Sequence, residues 1–95
     1  MVETEDLLRA FFSSRTRVKL LRLFSQKDGQ QFYLREVSKV VQESLTPVRR
    51  ELLNLTNIGF LTQSHVANLV YFKANKEFVF FDEIKRMMKK TECRT

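Results

Sequence analysis

Residues 34–61, LREVSKVVQESLTPVRRELLNLTNIGFL, decide the fold of this chain. Apolar residues recur at helical spacing over Leu34–Val41, and a short polar break follows them. A longer amphipathic helix is predicted over residues 45–58, where the apolar residues again repeat every three or four positions. Ser44 is a suitable N-cap for this helix, and Gly59 is suited to end it because glycine tolerates a positive φ. The stretch therefore predicts two consecutive helices joined by a tight turn, with a strand after them.

The remainder of the chain predicts further helices on both sides of this pair, and a small sheet. Ser14 is a candidate N-cap for the preceding helix, and Gly29 lies just beyond the end of that helix, where it is free to take a positive φ. A hairpin tip is predicted at Ala67 and Asn68; alanine disfavours the left-handed conformation, so a longer loop is the alternative. The predicted helices cover residues 4–12, 15–26 and 77–90, and the predicted strands cover residues 31–33, 60–66 and 69–73.

The size and charge of the chain narrow its class. It has 95 residues, which predicts a single domain over residues 1–95. Lys and Arg number 17 against 11 Asp and Glu, and the net charge of +6 favours polyanionic partners such as DNA or RNA. Cys93 is the single cysteine, so no internal disulfide can form. The acidic start is unlike a signal peptide, and no apolar run reaches the ~20 residues that span a bilayer. A cytoplasmic protein without a membrane partner is expected.

Catalytic and metal-binding patterns are absent from the sequence. It has no nucleophile–base pair, no glycine-rich phosphate loop and no spaced carboxylate pair, so we expect a protein that is not an enzyme. His65 is the single histidine, and one histidine without a second histidine or a neighbouring cysteine is a poor metal site. We therefore expect no metal and no cofactor.

Three segments resemble the winged helix-turn-helix regulators, specifically the ArsR-like branch of small bacterial and archaeal repressors. SSRTRVKLLRLF (13–24) resembles the opening helix, FYLREVSKVV (32–41) the strand and first helix of the helix-turn-helix, and SLTPVRRELLNLTNIGFL (44–61) the recognition helix. The resemblance covers roughly Leu8 to Lys90. It implies a mainly α fold with a small three-strand sheet, and a homodimer that binds palindromic double-stranded DNA and represses transcription. It implies no particular ligand.

Two features of the family are missing from this sequence. The family's usual wing is rich in Arg, Lys and Gly, whereas the hairpin segment Thr62–Leu69 contains no Arg or Lys. Metal-sensing relatives carry paired Cys in the first helix of the helix-turn-helix, or His and Asp pairs in the last helix, and neither pattern is present here. If the chain binds DNA, its helices must therefore supply more of the contact than in typical relatives.

Charged and short polar side chains on the outer face of the helix-turn-helix are the candidate DNA contacts. Arg49 is the best candidate for reading a base, because an arginine can pair bidentately with O6 and N7 of guanine. The alternative is that Arg49 and Arg50 are solvated charges with Glu51 as a nearby partner. Arg15 and Arg17 could reach phosphates or belong to a solvated face. The candidate DNA-binding residues are Arg35, Lys39, Ser44, Leu45, Thr46, Arg49, Arg50, Asn54 and His65.

Both ends of the chain carry more apolar residues than one small core is expected to cover. The run Phe78-Val79-Phe80-Phe81 falls on the predicted helix 77–90, so its members cannot all face one core. We expect the terminal helices to pack across a two-fold axis as a homodimer; the alternative is that they fold back onto their own core. The candidate dimer residues are Leu7, Leu8, Phe11, Phe12, Phe80, Phe81, Ile84 and Met88.

Together these features predict a sequence-specific DNA-binding transcriptional regulator that acts as a homodimer, with its recognition helix in the major groove. Two alternatives stay open. One is a protein-interaction or antitoxin-like module that uses a winged helix as its scaffold, which the hairpin without Arg or Lys and the apolar ends would suit. The other is a protein that binds structured RNA.

Overall fold

The computed structural model describes residues 14–92, with side chains described as far as residue 90. The predicted helix at 4–12, with Leu7, Leu8, Phe11 and Phe12, lies outside the described residues. The elements are α1 (Arg15–Gln26), β1 (Gln31–Tyr33), α2 (Leu34–Val41), α3 (Leu45–Ile58), β2 (Leu61–Val66), β3 (Leu69–Ala74) and α4 (Phe81–Glu92). The predicted fold class, mainly α with a small three-strand sheet, is confirmed.

The two helices predicted from the opening stretch are present with the predicted bounds. α2 begins directly after β1, where the Tyr33 N–H donates to the Glu36 carboxylate at 3.1 Å. Ser44 occupies the N-cap position of α3 with an extended backbone, but its side chain forms no capping hydrogen bond. Gly59 ends α3 in the left-handed conformation with φ 98°, as its position in the sequence predicts.

α1 also has the predicted bounds, and its first turn is capped as predicted. The Arg17 N–H donates to the Ser14 hydroxyl at 3.2 Å. The expectation for Gly29 was wrong, because Gly29 does not take the left-handed conformation and Lys27, which caps α1 after Gln26, has φ −108°. The Gln30 N–H instead donates to the Lys27 carbonyl at 3.0 Å, which closes this turn without a positive φ.

The three strands form one antiparallel sheet in the order β1-β3-β2. β2 and β3 are the two strands of the hairpin, in which Val66 pairs with Leu69. Its loop therefore consists of Ala67 and Asn68 alone, and the longer loop is not formed. Ala67 adopts φ 54°, because a two-residue loop that follows the twist of the strands needs a positive φ.

The core lies where the helices pack on one another and on the inner residues of the sheet. α1 contacts α2, α3 and α4, so it is the element that the other helices share. The apolar stripe of α3 is buried as its spacing predicts. The large, fully buried side chains include Leu20, Leu21, Phe24, Val37, Val48, Leu52, Leu55, Phe60, Leu61, Ile84 and Met88.

The last helix begins at Phe81 and not at residue 77 as predicted. Asn75 explains the difference, because its side-chain amide donates to the Gly59 carbonyl at 2.9 Å and its side-chain oxygen accepts from the Glu77 N–H at 3.1 Å. Phe78 then packs edge to face against Phe60, with ring centroids 5.8 Å apart. The apolar run at 78–81 is therefore mostly a turn, and the inference that treated it as one continuous helix was wrong.

Three of the candidate dimer residues belong to the core of the single chain. Phe81 is 3% exposed, Ile84 0% and Met88 1%. Their side chains are not accessible to a second copy in this arrangement, because α4 packs against α1 of the same chain. Phe80 is partly buried against the core, and Val79 is the member of the run that is most exposed.

Replacing Gln42 with glycine should stabilise the protein. Gln42 ends α2 in the left-handed conformation (φ 58°, ψ 49°), which costs a residue with a side chain about 1–2 kcal/mol. Gln42→Gly removes that cost. Glycine also gives the unfolded chain more conformational entropy, which opposes folding by about 0.5–1 kcal/mol. The free energy of unfolding, measured in urea, should rise by about 0.5–1 kcal/mol.

Lys27→Gly is the matched control for this substitution. Lys27 ends α1 as Gln42 ends α2, but with φ −108°, so glycine relieves nothing there and should lower the free energy of unfolding. An equal response of the two variants would contradict the explanation from backbone conformation.

Candidate nucleic-acid interface

The outer face of α3 lies opposite its buried stripe. The residues directly opposite are Thr46, Arg50, Leu53 and Asn57, spaced i, i+4, i+7 and i+11 along the helix, and all four are exposed. We call these four residues the outer face. Leu53 and Asn57 were not among the predicted contacts, although the spacing of the buried residues identifies them.

All of the predicted DNA contacts are at accessible positions. Arg49 and Asn54 flank the outer face on opposite sides of α3, as their helical positions require. Arg35 of α2 and Arg49 of α3 both line a groove between α3 and the hairpin. His65 lies on β2, opposite Val70. The exposed residues are Arg35, Lys39, Ser44, Leu45, Thr46, Arg49, Arg50, Asn54 and His65.

Glu51 is the single acidic residue of α3, and it is turned away from the outer face. It is 4% exposed, and it accepts two hydrogen bonds from the Arg17 guanidinium, at 2.7 Å from Nε and 3.4 Å from Nη2. The alternative in which Glu51 partners Arg49 or Arg50 was therefore wrong. The alternative of a phosphate contact by Arg17 was also wrong, because its guanidinium is held behind α3. The exposed part of α3 carries two arginines and no acid.

Two cations of α1 hold the turn between α2 and α3. Lys19 Nζ donates to the Glu43 carboxylate at 2.7 Å and to the Val41 carbonyl at 3.0 Å. Arg15 Nε lies 3.2 Å from the same carboxylate. The hydrogen bond from Lys19, with the charges of Arg15 and Lys19, lowers the pKa of Glu43. This carboxylate therefore stays charged at a lower pH than an ordinary glutamate does. α1 thus supports both the turn and, through Arg17, the helix that follows it.

Residues 14–92 contain neither a cluster of metal ligands nor a helix that could span a membrane. No three His, Cys, Asp or Glu side chains in that part of the chain are placed to hold a metal ion. None of its helices is both long enough and apolar enough to cross a membrane. Cys93 lies outside the described residues.

A hairpin directly follows two helices that are joined by a turn, and β1 completes the sheet. This arrangement defines the winged helix-turn-helix fold. Among solved structures, the AntR antimony-specific transcriptional repressor matches with a TM-score of 0.71 and 14% identity, covering 98% of this chain and 82% of that one. The transcriptional regulator HlyU from Vibrio vulnificus CMCP6 matches with a TM-score of 0.63 and 24% identity, covering 92% and 81%. YusO from Bacillus subtilis matches with a TM-score of 0.67 and 13% identity, covering 92% of this chain and 63% of that one.

No family model and no curated protein matches this chain. At the identities found, similarity to the solved structures shows the fold alone.

Arg17→Met should destabilise the protein strongly. Methionine keeps the apolar stem but leaves the Glu51 carboxylate buried without its guanidinium, and breaking a buried pair costs about 3–5 kcal/mol. The Arg17 side chain is 22% exposed, so we expect a smaller loss, about 2–3 kcal/mol in the free energy of unfolding measured in urea.

Two further variants sharpen this measurement. Arg15→Met is the matched control, because the Arg15 side chain is 81% exposed and exposed pairs contribute about 0–1 kcal/mol. Adding Glu51→Leu to Arg17→Met should recover part of the loss, because no buried charge is then left without a partner. Equal losses for Arg15→Met and Arg17→Met would show that the buried pair contributes nothing special.

Proposed function

We propose that this protein is a sequence-specific transcriptional regulator that binds double-stranded DNA in the cytoplasm as a homodimer, with α3 as its recognition helix. The observation that carries the proposal is the exposed surface of α3, which has Arg49 and Arg50 but no acid because Glu51 points to Arg17. A helix with such a surface fits a major groove that is about 12 Å wide. The winged helix-turn-helix fold supports the same role.

The residues on and beside the outer face fall into two proposed roles. Thr46 and Arg50 are best placed to meet base edges, and Arg49 can reach them from the side that faces the hairpin. Arginine can pair bidentately with guanine, whereas Leu45 and Thr46 suit the methyl group of thymine. Asn54 would reach the opposite edge of the groove.

The exposed cations of α2 are proposed to position the protein on the DNA backbone. Arg35 lies in the first turn of α2 and Lys39 near its end, and both are exposed. The first helix of such a motif crosses the backbone, where cations contact phosphates. Ser44 and His65 are proposed as neutral hydrogen-bonding partners of the same backbone.

The hairpin supplies polar but uncharged groups to this interface. Its exposed segment over residues 62–69 contains no Arg or Lys. Neutral groups release no counterions when they contact phosphates, so the salt dependence of binding should come from the helices. The proposed wing therefore adds orientation and little electrostatic affinity.

We further propose membership of the ArsR-like branch and a repressor role. The support is the resemblance of residues 13–24, 32–41 and 44–61 to that branch, together with the fold shared with AntR, HlyU and YusO. Antimony specificity belongs to AntR and is not proposed for this chain. The proposed homodimer would pair the N-terminal apolar residues Leu7, Leu8, Phe11 and Phe12 across a two-fold axis, with Phe80 at the margin.

A protein-interaction module is the second candidate function. The observation in its favour is the hairpin, whose exposed apolar residues Val66 (51%) and Leu69 (41%) take the place of the usual cations. Structured RNA is a third candidate, supported by the net charge of +6. DNA binding is preferred because the arginines lie on the recognition helix of the fold and not on the hairpin.

Lys39→Ala and Arg49→Ala should weaken DNA binding in different ways. Selection from random duplex DNA first provides a preferred and a non-preferred sequence. Lys39→Ala should weaken both about equally and reduce the slope of log K against log salt by about 1, because one phosphate contact is lost. Arg49→Ala should cost about 1–3 kcal/mol on the preferred sequence and less on the other.

Lys76→Ala is the control, because Lys76 is an exposed cation between β3 and α4, outside the helix-turn-helix. It should change neither the affinity nor the salt slope. Absence of duplex binding at ~50 mM salt would exclude the proposed function, since contacts to phosphates are strongest there.

Sedimentation equilibrium should give twice the 11.3 kDa mass of one chain at tens of micromolar protein. The double substitution of Leu8 and Phe12 with Asp should return the mass of one chain, because burying two carboxylates in an apolar interface is costly. Val79→Asp is the control; Val79 is 75% exposed and outside the proposed interface, so the dimer should persist. A wild-type monomer would overturn the homodimer while leaving DNA binding by one chain to be tested separately.

A further inference from the structure

A groove separates α3 from the β2–β3 hairpin. Its volume is about 360 Å³, within the range of about 300–1,000 Å³ that is typical of small-molecule sites. Leu52 and Phe72, both buried, form its floor, and Leu53 and Leu69 form opposite walls. Leu53 is 42% exposed and Leu69 41%, so both walls expose apolar surface to water. A bound ligand could cover that surface.

Two arginines line this groove and no acidic residue does. Arg35 comes from the first turn of α2 and Arg49 from α3, and no Asp or Glu is among the lining residues. Within the described part of the chain, neither guanidinium has a hydrogen-bond or ion-pair partner. Glu51, the acid nearest in sequence to Arg49, is held by Arg17 on the far side of α3. The positive charge at the groove is therefore uncompensated.

An apolar floor beside two unpaired guanidinium groups is complementary to an anion with an apolar body. A carboxylate accepts two parallel N–H bonds from a guanidinium, and such charge-assisted bonds are about twice as strong as neutral ones. The body of the same molecule would remove the surfaces of Leu53 and Leu69 from water. Phosphate groups of DNA match the cations but not the apolar walls.

We infer that this groove binds a small organic anion, with an apolar body and one carboxylate, and that the ligand competes with DNA for Arg35 and Arg49. The competition rests on the proposed function; binding of the anion does not. One guanidinium cannot give the same N–H groups to a carboxylate and to a phosphate or base. Occupancy of the groove would therefore lower the affinity for DNA, which makes the groove a regulatory site on the DNA-binding surface itself.

The test uses 2-naphthoate as the probe and 2-naphthamide as its uncharged match. Titration of the full chain without DNA, followed by NMR of the methyl groups of Leu53, Leu69 and Val70, should show saturable binding of 2-naphthoate at the groove. The amide should bind about tenfold more weakly, because it cannot form the charge-assisted pair. Equal binding of the two molecules, or shifts elsewhere only, would overturn the inference.

Leu69→Asp and Val66→Asp form a matched pair for the same titration. The two residues are cross-strand partners and similarly exposed, but Leu69 lines the groove and Val66 does not. Leu69→Asp should weaken 2-naphthoate binding about tenfold through repulsion and lost apolar contact, whereas Val66→Asp should change it by less than about twofold. Arg49→Gln should reduce the preference for the acid over the amide, with Arg35 left as the remaining charged partner. Equal effects of the two Asp substitutions would contradict the assigned site.

A DNA competition experiment separates the two levels of the inference. If 2-naphthoate binds the free protein but duplex DNA does not, the anion site stands and the proposed function fails. If DNA binds and 2-naphthoate does not, the function stands and the anion site fails. If both bind, the apparent Kd for DNA should rise in proportion to the 2-naphthoate concentration once that concentration exceeds the Kd of 2-naphthoate. An unchanged Kd for DNA would overturn the claim that the anion regulates DNA binding.

Discussion

The ion pair between Arg17 and Glu51 determines which side of α3 faces solvent. The two residues are separated by 34 positions in the chain, and their charged groups approach to 2.7 Å with the carboxylate almost fully buried. A buried carboxylate needs a partner, so α3 cannot rotate about its axis without a large cost. With Glu51 fixed inward, the helical repeat leaves Thr46, Arg50 and Leu53 on the outside. The character of the candidate interface follows from a contact that lies behind it.

Apolar packing and ion pairing make different contributions to the position of α3. Burial of Val48, Leu52 and Leu55 drives α3 onto the core, but the hydrophobic effect is not directional and tolerates small rotations. α1 supplies directional contacts through Arg17 to α3 and through Lys19 to the turn before it, and the Ser38 hydroxyl of α2 adds one to the Glu43 carbonyl. α1 therefore fixes both the axial rotation of α3 and the angle at which it leaves α2.

Local patterns in the sequence predicted most of the fold, and a long-range polar contact accounts for the misplaced start of α4. The bounds of α2 and α3 and the end at Gly59 follow from helical spacing and from glycine's conformational freedom. The start of α4 could not be predicted, because it depends on a bond from Asn75 to the distant Gly59 carbonyl. In the candidate site, helical spacing identified Thr46 and Arg50 as exposed residues. Residue type alone would place a glutamate in solvent and a leucine in the core, but Glu51 is buried and Leu53 is exposed.

The junction between β1 and α2 has a mechanical consequence. Tyr33 is the last residue of β1 and also the N-cap of α2, so no flexible linker separates the sheet from the first helix of the motif. Its ring packs edge to face on Tyr71 of β3, with centroids 5.7 Å apart, which joins it to the hairpin as well. A force that bends the hairpin is therefore transmitted as torque to α2. The turn 42–44 that follows α2 is held to α1 by Lys19 and Arg15, so the same torque is passed on to α1.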